Sequence, residues 1–169
     1  MKRIRLVRSA AIADFANAVY TYRDEVYRVW LITPWIGSYT DGSVDPLGVL
    51  IDSLRGNTKC MVTVITREPR AAATWHQDAV RLLQANLGST LFYCDSLHTK
   101  LYIIETAGMT AAMLGSPNLT PGGNTANKEL ALELRTTSLT RVDEVSSTVL
   151  DLVEYARDLL QDDSVRLAS

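Results

Sequence analysis

The sequence is poor in the residues on which disulfide frameworks, metal sites and imidazole catalysis depend. Its 169 residues include only two cysteines and two histidines. Cys60 and Cys94 each lie in an apolar run typical of a strand, with no ligand cluster beside them, which favours buried free thiols over a disulfide or a metal site. His76 and His98 are the whole supply of imidazole, which limits any mechanism that uses this group as acid, base or nucleophile.

A strong charge of one sign and long apolar runs are missing as well. Lys plus Arg total 17 and Asp plus Glu total 19, so a net charge of −2 excludes a polybasic protein that coats nucleic acid by charge alone. No apolar run approaches the ~20 residues that cross a bilayer. The basic residues near the start, at positions 2–8, are not followed by the apolar segment of a signal peptide. We therefore predict a cytoplasmic protein with no stable membrane association.

Length and composition favour a single domain over residues 1–169. Hydrophobic residues make up 47% of the chain and charged residues 21%, the range of folded globular proteins. Domains cluster near ~100–150 residues, so one core is the working expectation.

Strand-like runs alternate with helical periodicity in the first half of the chain. Lys59–Thr66 is apolar on both faces, as expected of a central parallel strand between helical layers. The predicted helices occupy residues 9–26, 45–56 with Asp45 as N-cap, 74–86 with a Thr74–Gln77 capping box, and a last stretch begun by Thr140 or Asp143. Strand-like runs at 90–94, 97–104, 110–115 and 129–135 precede that last helix. We expect an α/β fold in which a mixed, mainly parallel sheet is sandwiched between helices.

Three polar groups interrupt these later strand-like runs. In LHTKLYII, period-2 alternation places His98 and Lys100 on one face of a strand. Residues 115–118 (GSPN) end the next run, where glycine admits close backbone approach and serine and asparagine can donate hydrogen bonds. Residues 127–129 (NKE) introduce the run after it and leave Glu129 at its lip. Each group taken alone is weak evidence and is better explained by an ordinary polar strand face or strand end.

Taken together, in this order and at these separations, the three groups resemble the phospholipase D superfamily. The motif of that family is His-x-Lys, four residues, Asp, then Gly-Ser-x-Asn, with Asn-x-Glu beyond it. The match covers residues 97–134, and the earlier strand–helix alternation with its TPWI strand is similar to small members of the superfamily. Glu105 stands at the Asp position, where the family uses the acid as a structural support more than as a reacting group.

The resemblance implies a phosphodiesterase that works without a metal or another cofactor. His98 would attack phosphorus and form a phosphohistidine, while Glu129 would accept from its far ring nitrogen. Lys100 and Asn118 would hold the phosphoryl oxygens, and Ser116 would donate a hydrogen bond in the same pocket. These roles agree with general chemistry, since an imidazole nucleophile needs its unreactive nitrogen fixed and a cation with neutral donors stabilises charge on phosphoryl oxygens.

Such a mechanism also needs a second imidazole, which protonates the leaving oxygen. His76 begins a predicted helix and has no lysine two residues on, which predicts a surface or cap-region histidine. Small one-motif members of the superfamily form symmetric dimers. The resemblance therefore implies a homodimer with His98 of each subunit in one shared active site.

The resemblance indicates phosphodiester cleavage more firmly than a particular substrate. Single-motif members are similar mostly to nucleases, and the sequence shows no amphipathic membrane-binding helix or lipid anchor. A metal-independent nuclease acting on DNA or RNA, in restriction, anti-phage defence or repair, is the leading hypothesis. A phospholipase D-type lipid phosphodiesterase, a non-catalytic nucleic-acid-binding or dimerisation module, and dependence on a larger partner protein remain open.

Candidate substrate contacts lie in two loops. Residues 1–70 hold 10 Lys and Arg against 7 Asp and Glu. Arg67 and Arg70 follow a central strand at its C-terminal end, where open α/β sheets present ligand loops, and are candidates for phosphate contacts, although solvated loop charges explain them as well or better. Trp35 and Tyr39 come after the first strand-like run, which begins at Tyr27 and is stopped by Pro34, and are candidates for stacking on a base, although packing is the commoner role of such aromatics.

Overall fold

An eight-stranded mixed sheet organises the chain. The computed structural model describes residues 3–38, 45–121, 128–138 and 140–168. The strands that it shows within these ranges are β1 (Arg3–Val7), β2 (Val26–Ile32), β3 (Met61–Thr66), β4 (Thr90–Tyr93), β5 (Leu101–Thr106), β6 (Thr110–Gly115), β7 (Ala131–Thr136) and β8 (Arg166–Leu167). The helices there are α1 (Ala11–Thr21), α2 (Pro46–Leu54), α3 (Thr74–Leu87) and α4 (Glu144–Asp158), the last followed by a 3-10 turn over Leu159–Gln161.

The strand pairing corrects one prediction. The strand order is β1-β7-β6-β5-β2-β3-β4-β8. Only the β2–β3 and β3–β4 pairs are parallel in the described sheet, and the remaining pairs are antiparallel. The prediction of a mainly parallel sheet is therefore wrong. Apolar runs such as β3 reflect helical cover on both faces, and such cover buries antiparallel strands as completely as parallel ones.

Helices cover both faces of the sheet, as predicted. Alternate residues of β2 enter two different cores, because side chains along a strand point to opposite faces. Val29 and Leu31 pack in a core with α1, α2 and α3, whereas Trp30 and Ile32 pack in a core with α4. None of the helices within the described ranges combines the length and hydropathy that a membrane crossing requires.

Helix ends follow local sequence signals in part, because neither α1 nor α3 begins with a side-chain cap. Asp45 caps α2 by accepting from the Leu47 amide at 3.1 Å, and Asp143 caps α4 in the same way. Gly88 ends α3 in the left-handed conformation, with φ of 54°. The predicted Thr74–Gln77 capping box is wrong, because Ala73 is the N-cap and no side chain caps the helix.

The two cysteines are free, as predicted, but differ in burial. Cys94 is buried directly after β4, and Cys60 is half-buried directly before β3. Burial raises the pKa of the Cys60 thiol to about 11, so this thiol stays protonated at neutral pH.

Candidate active site

One edge of the sheet collects all three motif groups. β2 and β3 are parallel and end at this edge, and β5, antiparallel to β2, begins there. The meander then returns, so that β6 ends and β7 begins at the same edge. His98 and Lys100 lead into β5, residues 115–118 follow β6, and Glu129 leads into β7. Neighbouring strands thus hold side by side residues that are up to 31 positions apart in sequence.

Backbone hydrogen bonds extend the sheet into the motif segments. The Gly115 amide donates to the Lys100 carbonyl at 3.2 Å, and the Ser116 amide donates to the Leu130 carbonyl at 3.0 Å. A Cβ at position 115 would lie 2.6 Å from the Ala131 Cα and would overlap the Leu130 carbonyl. Only glycine therefore allows β6 to approach the start of β7 this closely.

The Arg67 side chain contacts the predicted nucleophile. Its Nη2 lies 3.0 Å from Nε2 of His98, and its Nε donates to the Leu97 carbonyl at 2.9 Å. A guanidinium group only donates, so Nε2 is assigned as the acceptor and the ring proton to Nδ1. His98 itself is exposed, and the nitrogen with the lone pair is the one that faces the cation.

Glu129 pairs with Ser116. The Ser116 hydroxyl donates to Glu129 Oε2 and accepts from the Leu130 amide at 3.0 Å. Within the described residues, no hydrogen bond joins Glu129 to His98, the contact that the resemblance implies. Asn127, the first residue of the Asn-x-Glu group, lies outside the described residues.

The other two motif residues are anchored to the surrounding backbone and loops. Lys100 Nζ donates to the His98 carbonyl at 2.9 Å, which holds the ammonium beside the histidine. The Thr33 hydroxyl, directly after β2, donates to Asn118 Oδ1 at 3.3 Å. Tyr102 donates to the Pro117 carbonyl at 2.9 Å. Burial raises the pKa of Tyr102 well above its ordinary value, so the phenol remains a neutral donor that fixes this turn.

Glu105, at the position of the motif aspartate, is a buried structural contact. Its side chain accepts from the indole Nε1 of Trp30 at 2.9 Å and lies 3.7 Å from a guanidinium nitrogen of Arg157. It stands near the far end of β5, five residues beyond Lys100. These contacts connect the sheet to α4 and do not reach the reacting groups.

His76 is fully buried, so the prediction of a surface or cap-region histidine is wrong. Nδ1 lies 3.2 Å from the Ile36 amide nitrogen and 3.0 Å from the Ile36 carbonyl oxygen, and Nε2 lies 3.1 Å from the Arg67 carbonyl oxygen. Through these contacts the ring connects the loop after β2 to the loop after β3. Helical spacing could have indicated this burial, because His76 shares a face with the buried residues Ala79, Val80 and Leu83.

Two tryptophans lie beside this histidine. The Trp35 and Trp75 ring centroids are 5.9 Å apart, and both rings contact the His76 ring. The Arg67 guanidinium carbon lies 5.5 Å from the Trp35 centroid. Sequence reasoning selected Trp35 and missed Trp75, whose helical position gave no hint of this neighbour. Tyr39 lies outside the described residues.

The Arg70 side chain is not brought to the histidine in the same way. Arg70 is exposed in the loop after β3, and its carbonyl accepts from the Ala73 amide at 2.9 Å and from Gln77 Nε2 at 3.2 Å. The described contacts of Arg70 therefore order the start of α3. Of the two predicted loop arginines, only Arg67 joins the motif residues.

Side chains supply the groups at this edge that can stabilise negative charge. Lys100 and Arg67 are cationic, and Asn118 and Ser116 are neutral donors. Across residues 3–38, 45–121, 128–138 and 140–168, no group of three or more His, Cys, Asp or Glu is placed to hold a metal ion.

Comparison with known proteins identifies the architecture. No protein-family model matches the sequence, and no curated protein sequence does either. Among solved structures, Nuc from Salmonella typhimurium, a phospholipase D family member, matches with a TM-score of 0.71 at 14% identity over 99% of both chains. The chain has the phospholipase D fold. The fold implied by the three motif groups is thereby confirmed.

Two further solved structures share this fold. NucT from Helicobacter pylori matches with a TM-score of 0.61 at 13% identity, covering 95% of this chain and 97% of that one. The polyphosphate kinase from Porphyromonas gingivalis matches with a TM-score of 0.65 at 16% identity, over 96% of this chain and 26% of the kinase. This chain is thus similar to about one quarter of the much longer kinase chain.

Proposed function

We propose that this protein is a metal-independent phosphodiesterase, a nuclease that hydrolyses DNA or RNA through a phosphohistidine at His98. The observation that carries the proposal is the meeting of His98, Lys100, Ser116 and Asn118 at one sheet edge of a phospholipase D fold. The similarity to Nuc, a phospholipase D family member, supports the same chemistry. We further propose that the protein acts in the cytoplasm, in restriction, anti-phage defence or repair.

In the first step, Nε2 of His98 attacks phosphorus. The new P–N bond forms as the P–O bond to the leaving oxygen breaks, and a second imidazole gives that oxygen its proton. Lys100 and Asn118 hold the phosphoryl oxygens as charge shifts onto them. In the second step, the second imidazole takes a proton from water, the water oxygen attacks phosphorus, and the P–N bond breaks to restore His98.

Arg67 acts on both the nucleophile and the substrate in this mechanism. Before substrate arrives, its guanidinium donates to Nε2 of His98 and so orients the ring. A phosphoryl oxygen is the stronger acceptor because it is charged, so the guanidinium moves to the substrate and frees the Nε2 lone pair. Arg67 thereby prepares the attacking atom and then neutralises the group under attack.

The second imidazole comes from a second copy of the chain. The sequence holds only one other histidine, His76, which is buried and has both ring nitrogens near backbone partners. It therefore cannot reach and protonate the leaving oxygen of a substrate bound at the surface. A homodimer that brings His98 of each subunit into one shared site supplies the missing acid.

The decisive experiment compares substrates in the presence of EDTA. The purified protein is incubated with single- and double-stranded DNA, with RNA and with phospholipid vesicles, beside the His98→Ala variant. We expect nucleic acid to be cut by the unaltered protein and not by the variant. Equal weak hydrolysis by both would overturn the proposal in favour of a non-catalytic module, and cleavage of phospholipid alone would favour a lipid phosphodiesterase.

Subunit mixing tests the shared site. His98→Ala subunits are exchanged with unaltered subunits at equal amounts, and activity is compared with that of the unmixed enzyme. If each site needs both histidines, only the unaltered dimers work and activity falls to about one quarter, whereas independent sites retain about one half. Sedimentation of a fully active monomer would reject the dimer outright.

A further inference from the structure

An open pocket adjoins the candidate catalytic residues. Its volume is about 340 Å³, at the small end of the roughly 300–1,000 Å³ typical of ligand sites. The described residues that border it are Trp35, Trp75, Asn118, Thr120 and Pro121. Asn118 belongs both to this pocket and to the motif, so the pocket and the candidate active site are continuous.

The Trp75 ring is fixed in place yet faces solvent. Its centroid lies 5.7 Å from that of the fully buried His76, and a Cβ at Gly37 would lie 3.1 Å from the ring. The residue nevertheless remains 48% exposed. A large apolar ring that is held rigidly at the surface of a pocket is suited to stacking, because little conformational entropy is lost when a ligand covers it.

Arg67 connects this pocket to the nucleophile. Its guanidinium lies over the Trp35 ring, with 5.5 Å from Cζ to the centroid, and its Nη2 is 3.0 Å from His98 Nε2. Moving from the pocket to the nucleophile, a ligand therefore meets aromatic faces, then a cation, then an imidazole. A nucleotide has the matching order of groups, a planar base followed by a sugar and an anionic phosphodiester.

We infer that the pocket binds one unpaired base next to the scissile phosphodiester, and that the substrate is a single-stranded nucleic acid. The identity of the scissile bond rests on the proposed function. Stacking between aromatic rings accepts any base, because every base has a π-face. In a duplex, neighbouring pairs cover both faces, so a base enters the pocket only after it is unstacked and unpaired.

Asn118 and Trp35 limit how the base can lie. The Thr33 hydroxyl donates to the Asn118 carbonyl oxygen, which orients the Asn118 amide so that its NH2 group can donate to a ligand. Trp35 is half-buried and covered in part by Arg67, whereas Trp75 is the more exposed ring. Trp75 is therefore the main stacking residue, and its removal has the larger effect on binding.

Binding without turnover tests the inference. In the full-length His98→Ala background, affinity for a fluorescent single-stranded oligonucleotide is measured for Trp75→Ala, Trp75→Phe and Tyr20→Ala. We expect Trp75→Ala to weaken binding roughly tenfold to a hundredfold, the range that loss of one stacked base gives. Trp75→Phe keeps a ring and restores most of the affinity. Tyr20→Ala removes an aromatic that is 55% exposed on α1 and leaves affinity unchanged.

The same strand in duplex form and a strand with one abasic position complete the design. The duplex should bind more weakly and respond little to Trp75→Ala, and the abasic strand should lose affinity with the parent protein but not with Trp75→Ala. Equal affinity of Trp75→Ala and its parent overturns the inference, as does an equal loss on single and double strands. So does a change of sedimentation without a change of affinity, which would assign the pocket to subunit contact.

Failure here is separable from failure of the proposed function. Tight, Trp75-dependent binding without hydrolysis in EDTA by the unaltered protein would remove the nuclease and keep the pocket. Hydrolysis that requires His98 but is unchanged by Trp75→Ala would support the nuclease and reject the base-binding pocket. Circular dichroism of each variant confirms that altered binding does not come from loss of the fold.

Discussion

The two histidines of this chain stand in regions that treat the same side chain in opposite ways. The segment that leads into β5 presents His98 to solvent, and its ring contacts one cation. The start of α3 buries His76 completely and places backbone groups of two loops at its two ring nitrogens. The His98 ring is accessible to a ligand, whereas both nitrogens of the His76 ring are held in contact with the backbone.

The difference shows what separates a reactive histidine from a structural one. Residue type and position in the fold do not distinguish them, because both are histidines in a loop or helix start at the same sheet edge. Hydrogen-bond partners do, since a ring whose nitrogens are both committed to buried backbone has no lone pair for a substrate. Arg67 belongs to both regions, because its carbonyl faces His76 and its guanidinium faces His98.

The largest expected effect is on catalysis by the exposed region. His98→Ala should lower kcat by more than about three orders of magnitude, because no other group can form the covalent intermediate. The free energy of unfolding should change by less than about 0.5 kcal/mol, as for most exposed sites. Steady-state kinetics in EDTA and urea unfolding of the same preparation measure the two quantities. A variant that retains activity, or that unfolds early, would show that the two histidines do not differ as described.

Arg67→Ala should reduce kcat by about a hundredfold to a thousandfold, the usual cost of one charge-stabilising donor. Arg67→Lys keeps the charge but loses the guanidinium fork that reaches both Leu97 and His98. We therefore expect lysine to recover only part of the rate. Single-turnover rates on a short oligonucleotide provide the measurement. Full activity of the alanine variant would mean that the link between the two regions has no catalytic role.

His76→Ala should reverse the pattern of His98→Ala. Its loss leaves the Ile36 amide and the Arg67 carbonyl without their partner and opens a cavity, at a cost of about 3 kcal/mol in unfolding free energy. Thermal unfolding followed by circular dichroism measures it. At temperatures where the variant is folded, some activity should persist. Complete inactivity in a folded variant of unchanged stability would instead make His76 a reacting group.

The smallest effect is expected at the outer contact of the β5 lead-in. Thr99 shares a hydrogen bond of 2.8 Å with the Tyr155 hydroxyl on α4, in an exposed setting. Tyr155→Phe removes that bond and should lower the unfolding free energy by about 1 kcal/mol or less, since water replaces the lost partner. Urea unfolding midpoints of this variant and of His76→Ala show how the two losses of unfolding free energy compare. Comparable losses of unfolding free energy in the two variants would mean that burial does not determine how much a hydrogen bond contributes to stability in the two regions.

The motif residues were predictable because their chemistry is encoded in short spacings. His98, Lys100, Ser116 and Asn118 follow from residue type and order, and the fold match agrees with the fold that this order implies. The partners of these residues were not. Arg67 meets His98 across 31 positions, and only the pairing of β3 with β2 and of β2 with β5 places the two loops together.

Strand direction and edge strands escaped prediction for a related reason. The apolar pattern of β3 indicates that helices cover both faces of the strand. Whether a strand runs parallel or antiparallel depends on its neighbouring strands, which the pattern does not identify. β1 was not predicted, because the basic residues at positions 2–8 were considered only as the start of a signal peptide; Ile4 and Leu6 remain exposed on this outermost strand. His76 shows the converse case, a polar residue whose helical spacing with Leu83 already indicated burial.

The mixed sheet separates two tasks that an engineer would want to change independently. Most groups proposed to react enter the site from the antiparallel strands β5, β6 and β7, where backbone pairing fixes them tightly, and Arg67 joins them from the loop after β3. Groups proposed to choose the substrate enter mainly from loops and the helix start that follow the parallel strands β2 and β3. Exchanging the residues around Trp35 and Trp75 between relatives, with Arg67 kept, should therefore change substrate preference without rebuilding the proposed reactive centre.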